Sequence, residues 1–378
     1  MSYSKNKIKN SGKKLIDNIN DEESLEVLSY WRTCHASSLE EGYQILRDNA
    51  QSVDKSLLLA KRLKRTESIV NKLKRLKGKV QLTTMNDIAG CRAIVSNEKK
   101  VYQLVNKLIK TSDYEVFRDY ILKPRDSGYK SVHLIGKFLN ENNIARPVEL
   151  QIRTKVQHSW ATAVEIVDLF TKDSIKTNEG TKEWSSLFRY ASKVLSLFDK
   201  NPFINVLKNE KNTEETIKKN QAQIYAFFKK QCHNKKSIEK DISEVYKLCK
   251  KLGLREKFDA FSLSLKSTNE HIEQSPLNGY VLIIIDKIDK NSFGVSSEIF
   301  PIDRFEEATA KYLEAEKNVL INKHFVTALV STNAVGGIKK AYPNYFADAT
   351  KFLEYITMIN MIQEEKTSLF DKILNYFK

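Results

Sequence analysis

The sequence predicts an α+β chain in three parts: a mixed sheet flanked by helices over residues 1–195, a helical connector over 196–269, and a smaller α+β domain over 270–378. Three observations predict this division. In the first part, apolar residues switch between helical spacing and short runs of strand length. In the second, Lys and Glu dominate and single apolar residues return at helical intervals. In the third, two strand-like runs flank a turn sequence and then give way to helical patterns. A chain of 378 residues is long enough to bury more than one core.

Residues 1–50 read as helical: Leu25, Leu28 and Trp31 share a stripe, and Ser37-Ser38-Leu39-Glu40-Glu41 reads as a second helix start. From Val53 to Leu76 apolar residues recur at helical spacing, so a helix is predicted there, within a densely basic segment over 54–79. Ile88–Val95 reads as a buried strand and Lys99–Thr111 as an amphipathic helix with Val101, Leu104, Val105 and Leu108 inward. Ser131–Leu139 and Pro147–Arg153 are further strands. In the second, Val148 and Leu150 point in while Glu149 and Gln151 point out. Lys155–Leu169 is helical, and the sheet is expected to hold four or five strands. After the connector, Tyr280–Ile288 and Ser292–Phe300 read as a hairpin closed by Asp289-Lys290-Asn291. A helix over Asp303–Ala315 with Asp303 as N-cap, further strand within Val319–Ser331 and a final helix over Asp348–Phe377 complete the chain.

Lys and Arg number 63 against 47 Asp and Glu, a formal charge of +16. Such an excess argues for an anionic partner, whether nucleotide, RNA or an acidic membrane surface, although a Lys-rich composition raises the same charge. No apolar run approaches the roughly 20 residues that span a bilayer, and the N-terminus has no apolar signal core. A cytoplasmic protein without a membrane partner is expected. Cys34, Cys91, Cys232 and Cys249 are scattered, with neither a disulfide framework nor zinc spacing.

The first half carries the chemistry. Lys64, Ser68 and Lys72 are spaced for one helical face, with Arg62 close by. Cations and a hydroxyl aimed one way suit a triphosphate. Asp87 precedes the apolar run Ile88-Ala89-Gly90-Cys91 and can hold Mg2+ through oxygen. Arg92 can stack on a base or clamp a phosphate. Glu149, Gln151 and Arg153 share one strand face, and Glu149 suits a second metal ligand or the base for a hydroxyl nucleophile. Gly128-Tyr129 follows the loop Pro124-Arg125-Asp126-Ser127, where a Tyr can offer an exposed ring to a nucleobase. His133 suits orientation of a phosphate or acceptor, or a structural role.

These motifs, in this order, resemble the synthetase domain of the RelA/SpoT family of alarmone synthetases over about residues 50–170. The resemblance implies a nucleotidyltransferase-like fold and transfer of the β,γ-pyrophosphate of ATP to a ribose 3′-hydroxyl, with AMP leaving. It assigns Arg62 and Arg92 to the adenine, and Lys64, Ser68 and Lys72 to the ATP phosphates. Asp87 is assigned to Mg2+, with Glu149 assisting the metal and activating the hydroxyl. Tyr129 is assigned to the acceptor base, with His133 and Gln151 lining the pocket. Two departures are visible: Arg125-Asp126-Ser127 stands where the family has a basic-plus-Asn stretch, and Cys91 where it has a small apolar residue. There is no His-Asp pair, so a hydrolase domain is not expected.

Trp31-Arg32-Thr33-Cys34-His35 and Tyr342-Pro343-Asn344-Tyr345 look like the fused toxin–antitoxin, CapRel-type branch of small synthetases. That resemblance implies a C-terminal pseudo-zinc-finger domain whose Tyr342 and Tyr345 block the ATP site. It implies release by a phage protein such as a capsid protein, and modification of the 3′-terminal adenosine of tRNA in anti-phage defence. The basic stretch 55–79 and the Lys-rich connector suit a tRNA backbone. Two alternatives stand beside it: an enzyme of the same fold acting on GDP or GTP, and a non-enzymatic RNA-binding or phage-sensing protein.

Overall fold

A computed structural model describes residues 2–64, 66–76, 78–140, 142–171, 180–200, 220–234, 236–262, 279–288, 293–320, 326–331 and 345–376. The chain divides into two units, one of residues 1–125 and 130–155, the other of residues 126–129 and 156–378. The helices after residue 155, expected from the sequence to belong to the first domain, therefore group with the C-terminal residues.

The first unit is α+β. Three helices open it: α1 (Lys5–Asp17), α2 (Glu22–Thr33) and α3 (Ala36–Ala50). Ser4 and Asp21 cap the first two by accepting from Lys7 N and Ser24 N. Then come β1 (Leu58–Leu63), α4 (Thr66–Arg75), β2 (Ala89–Val95), α5 (Glu98–Thr111), β3 (Glu115–Asp119), β4 (Val132–Leu139) and β5 (Ala145–Thr154). The sheet order is β1-β2-β5-β4-β3, with β2 and β5 parallel and the other neighbours antiparallel.

The helix expected over Val53–Leu76 is instead strand, turn and helix. Leu58 to Leu63 pair residue for residue with Ile94 to Ala89. An unpaired edge of β2 would strand backbone donors and acceptors, and pairing overrides the local helical spacing. Asp54, buried, sets the entry to β1: it accepts from Ser56 N at 3.0 Å and from Ser96 N, just past β2, at 2.7 Å. Lys64 precedes α4, so it does not share a helix with Ser68 and Lys72. The strand β3, not expected from the sequence, is a half-exposed edge. By contrast, α5 buries Val101, Leu104, Val105 and Leu108 as its spacing predicts, with Asn97 as N-cap.

The sheet has two unlike faces. On one, Cys91, Ala93, Val132, Leu134, Leu150 and Ile152 pack with residues of α3 and α5 in an apolar core. On the other lie Arg62, Arg92, His133, Glu149 and Gln151, as strand alternation requires. A separate core joins Ile69, Val70 and Leu73 of α4 to Ile8, Leu15 and Leu28 of the first two helices.

The second unit is mostly helical: α6 (Lys155–Thr171), α7 (Gly180–Lys200), α8 (Gln221–Asn234), α9 (Lys236–Leu252) and, at the end, α11 (Tyr345–Tyr376). Trp160, Trp184, Phe188, Phe228, Phe258 and Phe352 form its aromatic centre. Between these helices in sequence lie β6 (Gly279–Lys287), β7 (Phe293–Pro301), α10 (Phe305–Leu320) and β8 (Val326–Ser331), with sheet order β7-β6-β8. β6 and β7 pair antiparallel as a hairpin pattern predicts, and the expected turn lies outside the described residues. Asp303 belongs to a 3-10 turn over Ile302–Arg304 and the helix starts at Phe305, two residues later than expected. The further strand expected within Val319–Ser331 is β8, and α10 runs on to Leu320. No helix of the described residues is long and apolar enough to cross a membrane.

Candidate active site

The polar face of the first sheet is built by register. Gly90 of β2 stands between Arg62 of β1 and Glu149 of β5. In the next row Arg92 pairs with Gln151, and Gln151 with His133 of β4. Gly90 has no side chain to fill its place in the first row.

Glu149 is the centre of this face. Its Oε1 accepts from His133 Nδ1 at 3.1 Å, and its Oε2 from Gln151 Nε2 at 2.8 Å. Its side chain is 14% exposed. Burial alone would raise its pKa; the hydrogen bond and charge of His133, with Gln151, outweigh that and leave it lowered, against an opposing push from the charge of Asp87. His133 is itself braced. The Tyr120 ring meets it edge-on at 5.1 Å, and Arg125 lies over Tyr120 at 4.4 Å and donates to its hydroxyl at 3.0 Å.

Asp87 lies two residues before β2. Lys64 Nζ is 3.1 Å from Oδ2 and Lys72 Nζ is 2.8 Å from Oδ1. Burial would raise this carboxyl too, and the charges of Lys64 and Lys72 leave it lowered. Oδ1 is buried, with the Lys72 ammonium against it. Two ionised carboxylates that sense each other fit a Mg2+ ion completed by substrate phosphates. Magnesium takes one or two protein carboxylates and leaves its other positions to phosphate and water.

The structure thus joins Lys64, Lys72 and Asp87 in one cluster and His133, Glu149 and Gln151 in another, on the sheet face that carries Arg62 and Arg92. Arg62 is exposed and Arg92 buried. Ser68 is half-buried on α4, one turn before Lys72 and on the same side. Cys91 points to the opposite face, where burial pushes its thiol up to about 12, so that departure does not touch the site.

Tyr129 belongs to the other unit. It is half-buried there, with its ring 6.5 Å from Trp160, and is not the freely exposed aromatic expected. Gly128, at φ +92, is pressed against α7 and its carbonyl accepts from Ser192 Oγ. Tyr342 lies outside the described residues, and Tyr345 opens α11.

Sequence reasoning missed the brace Tyr120–Arg125 and the contacts of Trp31 and Arg32 with the backbone around the site. Both motifs were visible in the sequence, but only tertiary contact gives them work.

Residues 61–167 match the family described as the region found in RelA/SpoT proteins. That RelA/SpoT region contains Arg62, Lys64, Ser68, Lys72, Asp87, Arg92, Tyr129, His133, Glu149 and Gln151. The chain is 41% identical over 112 residues to GTP pyrophosphokinase YwaC of Bacillus subtilis (strain 168), across 27% of this chain and 52% of that protein. It is 33% identical over 109 residues to GTP pyrophosphokinase YjbM of the same organism, across 27% of this chain and 51% of the relative. The match thus spans about half the length of these curated relatives. Among solved structures, small alarmone synthetase 2 from Bacillus subtilis aligns at a TM-score of 0.40 with 26% identity, over 50% of this chain and 100% of that one. Small alarmone synthetase 1 from the same organism, bound to its product pppGpp, aligns at 0.40 with 24% identity, over 46% and 94%.

Proposed function

We propose that this protein is a pyrophosphokinase that transfers the β,γ-pyrophosphate of ATP to a ribose 3′-hydroxyl. The observation that carries the reading is the pair of carboxylates Asp87 and Glu149, each held ionised by its own neighbours, within the RelA/SpoT region. Lys64 and Lys72 neutralise the triphosphate, with Ser68 one turn away, and Arg62 and Arg92 flank the base. Asp87 and Glu149 would hold Mg2+, which would supply charge neutralisation at the transferred group. Glu149, oriented by His133 and Gln151, takes the proton of the acceptor hydroxyl. The acceptor oxygen then bonds to the β-phosphorus, the bond from that phosphorus to the α-phosphate bridging oxygen breaks, and AMP leaves.

The finer reading is a self-restrained toxin of anti-phage defence. Its acceptor is the 3′-terminal adenosine of tRNA, met by Tyr129. Tyr342 and Tyr345 restrain the ATP site until a phage protein engages the C-terminal part. The charge of +16 supports a polyanionic acceptor. The names of the relatives favour GDP or GTP instead. The deciding experiment incubates the full chain, with and without Tyr342→Ala and Tyr345→Ala, with ATP labelled on its γ-phosphate, Mg2+, and either tRNA or GDP/GTP. Label in tRNA that disappears with Glu149→Gln supports the toxin. Label in a guanosine product makes the protein an alarmone synthetase, and transfer to neither sinks the pyrophosphokinase reading.

A further inference from the structure

The motif Trp31-Arg32-Thr33-Cys34-His35 takes no part in the chemistry above, yet it touches three segments that carry the site. Arg32 Nε donates to the Lys64 carbonyl at 2.9 Å, and its Nη1 donates to Thr66 Oγ1 at 3.4 Å. The Lys64 amide donates to the carbonyl of Ile88, the residue after Asp87, at 2.7 Å. The backbone of Lys64 is therefore held on both sides. From it the ammonium reaches Asp87. Thr66 is the first residue of α4, whose Lys72 meets the other Asp87 oxygen. One guanidinium fork thus ties down the end of β1 and the start of α4 together.

The neighbouring Trp31 anchors the fork. Its buried indole Nε1 donates to the Leu82 carbonyl at 3.2 Å, at the turn that leads to Asp87. Arg146 of β5, three residues before Glu149, lies over the Trp31 ring at 4.2 Å. His35 Nδ1 donates to the Trp31 carbonyl at 2.8 Å, and the two rings meet edge-on at 4.9 Å.

We propose that Arg32 is a positioning residue for the donor-nucleotide site: its fork on Lys64 and Thr66 sets where the Lys64 and Lys72 ammonium groups stand. This rests on reading that site as the ATP site. A displaced cation loses part of its charge-assisted hold on a phosphate, because such bonds depend on distance and direction.

The test measures the affinity of the full chain for a non-hydrolysable ATP analogue with Mg2+ by calorimetry. It is run in the natural chain and with Tyr342→Ala and Tyr345→Ala added, so that a C-terminal restraint does not hide the site. Arg32→Met keeps the aliphatic stem and deletes both donors; Arg32→Lys restores one. Arg32→Met is expected to weaken binding roughly tenfold, the scale of a lost charge-assisted hydrogen bond, with Arg32→Lys in between. Arg32→Met combined with Lys64→Ala is expected to lose less than the product of the two single losses, because part of the Arg32 effect passes through the Lys64 ammonium and the rest through Lys72. Losses that multiply in the combined variant, or unchanged affinity in Arg32→Met, overturn the positioning role. Should Arg32→Met lose its folded circular dichroism spectrum, the same cycle with Arg32→Lys is decided by the same two outcomes. A chain that binds no analogue in either background overturns the donor-site reading, and this proposal with it.

Discussion

Glu149 owes its state to three neighbours. His133 and Gln151 hold both oxygens, and the nearby charge of Asp87 opposes ionisation. Glu149→Gln keeps the shape and removes the proposed base, so transfer is expected to fall by roughly 10²–10⁴-fold in a single-turnover assay. Because both carboxyls are lowered in the folded protein, the unfolded chain binds their protons at higher pH. Their contribution to stability is present above the ordinary carboxylate range, about pH 4, and is lost as pH falls through the folded values. Thermal melts from neutral pH downwards are expected to show this decline, and Asp87→Asn with Glu149→Gln to flatten it. An unchanged slope in the variants contradicts the assignment. Gly90→Ala tests the open row between Arg62 and Glu149. A Cβ there meets nothing nearer than the Arg62 carbonyl at 3.8 Å, so the melting temperature is expected to hold while transfer drops.

At the scale of elements, legibility followed how local each signal was. The helix α5 and the alternation of β5 were readable because one buried face repeats along each segment. The strand β1 was not, because its partner is 26–36 residues away by register and its own face is half-exposed. Asp54 joins the two ends of that pairing, with Lys100 at 3.1 Å as counter-charge. Asp54→Ala orphans the Ser56 and Ser96 amides and is expected to cost about 2 kcal/mol or more in denaturant unfolding. The Gly128 turn is the other element that depends on distant contact. Its Cβ would stand 2.8 Å from Ser192 Cβ at a φ of +92. Gly128→Ala is therefore expected to displace Tyr129 and raise KM for the acceptor more than for ATP.

At the scale of the molecule, the chain's last helix is core and not appendage. Phe352 packs 5.7 Å from Phe188 of α7, and Tyr355 5.1 Å from Phe198. Truncation near residue 270 strips these rings from the aromatic centre. It is expected to lower the melting temperature and expose apolar surface, measurable by dye binding, whatever it does to activity. Loss of Phe or Trp packing typically costs about 3–5 kcal/mol per side chain. Point substitutions at Tyr342 and Tyr345 are the cleaner probe of restraint; a truncated chain that melts like the full one would remove α11 from the core.

By itself, the sequence determined the α+β class, most strands and helices of the first unit, and the residue types of the proposed site. These are local properties: periodicity, alternation, and charged residues at fixed offsets. Tertiary structure alone decided the partners. It set Lys64 and Lys72 on opposite oxygens of Asp87, made His133 a brace for Glu149, and turned Arg32 toward a carbonyl 32 residues away. Such choices depend on which strand pairs with which and on what each side chain loses of its water. Neither is written in the spacing of nearby residues.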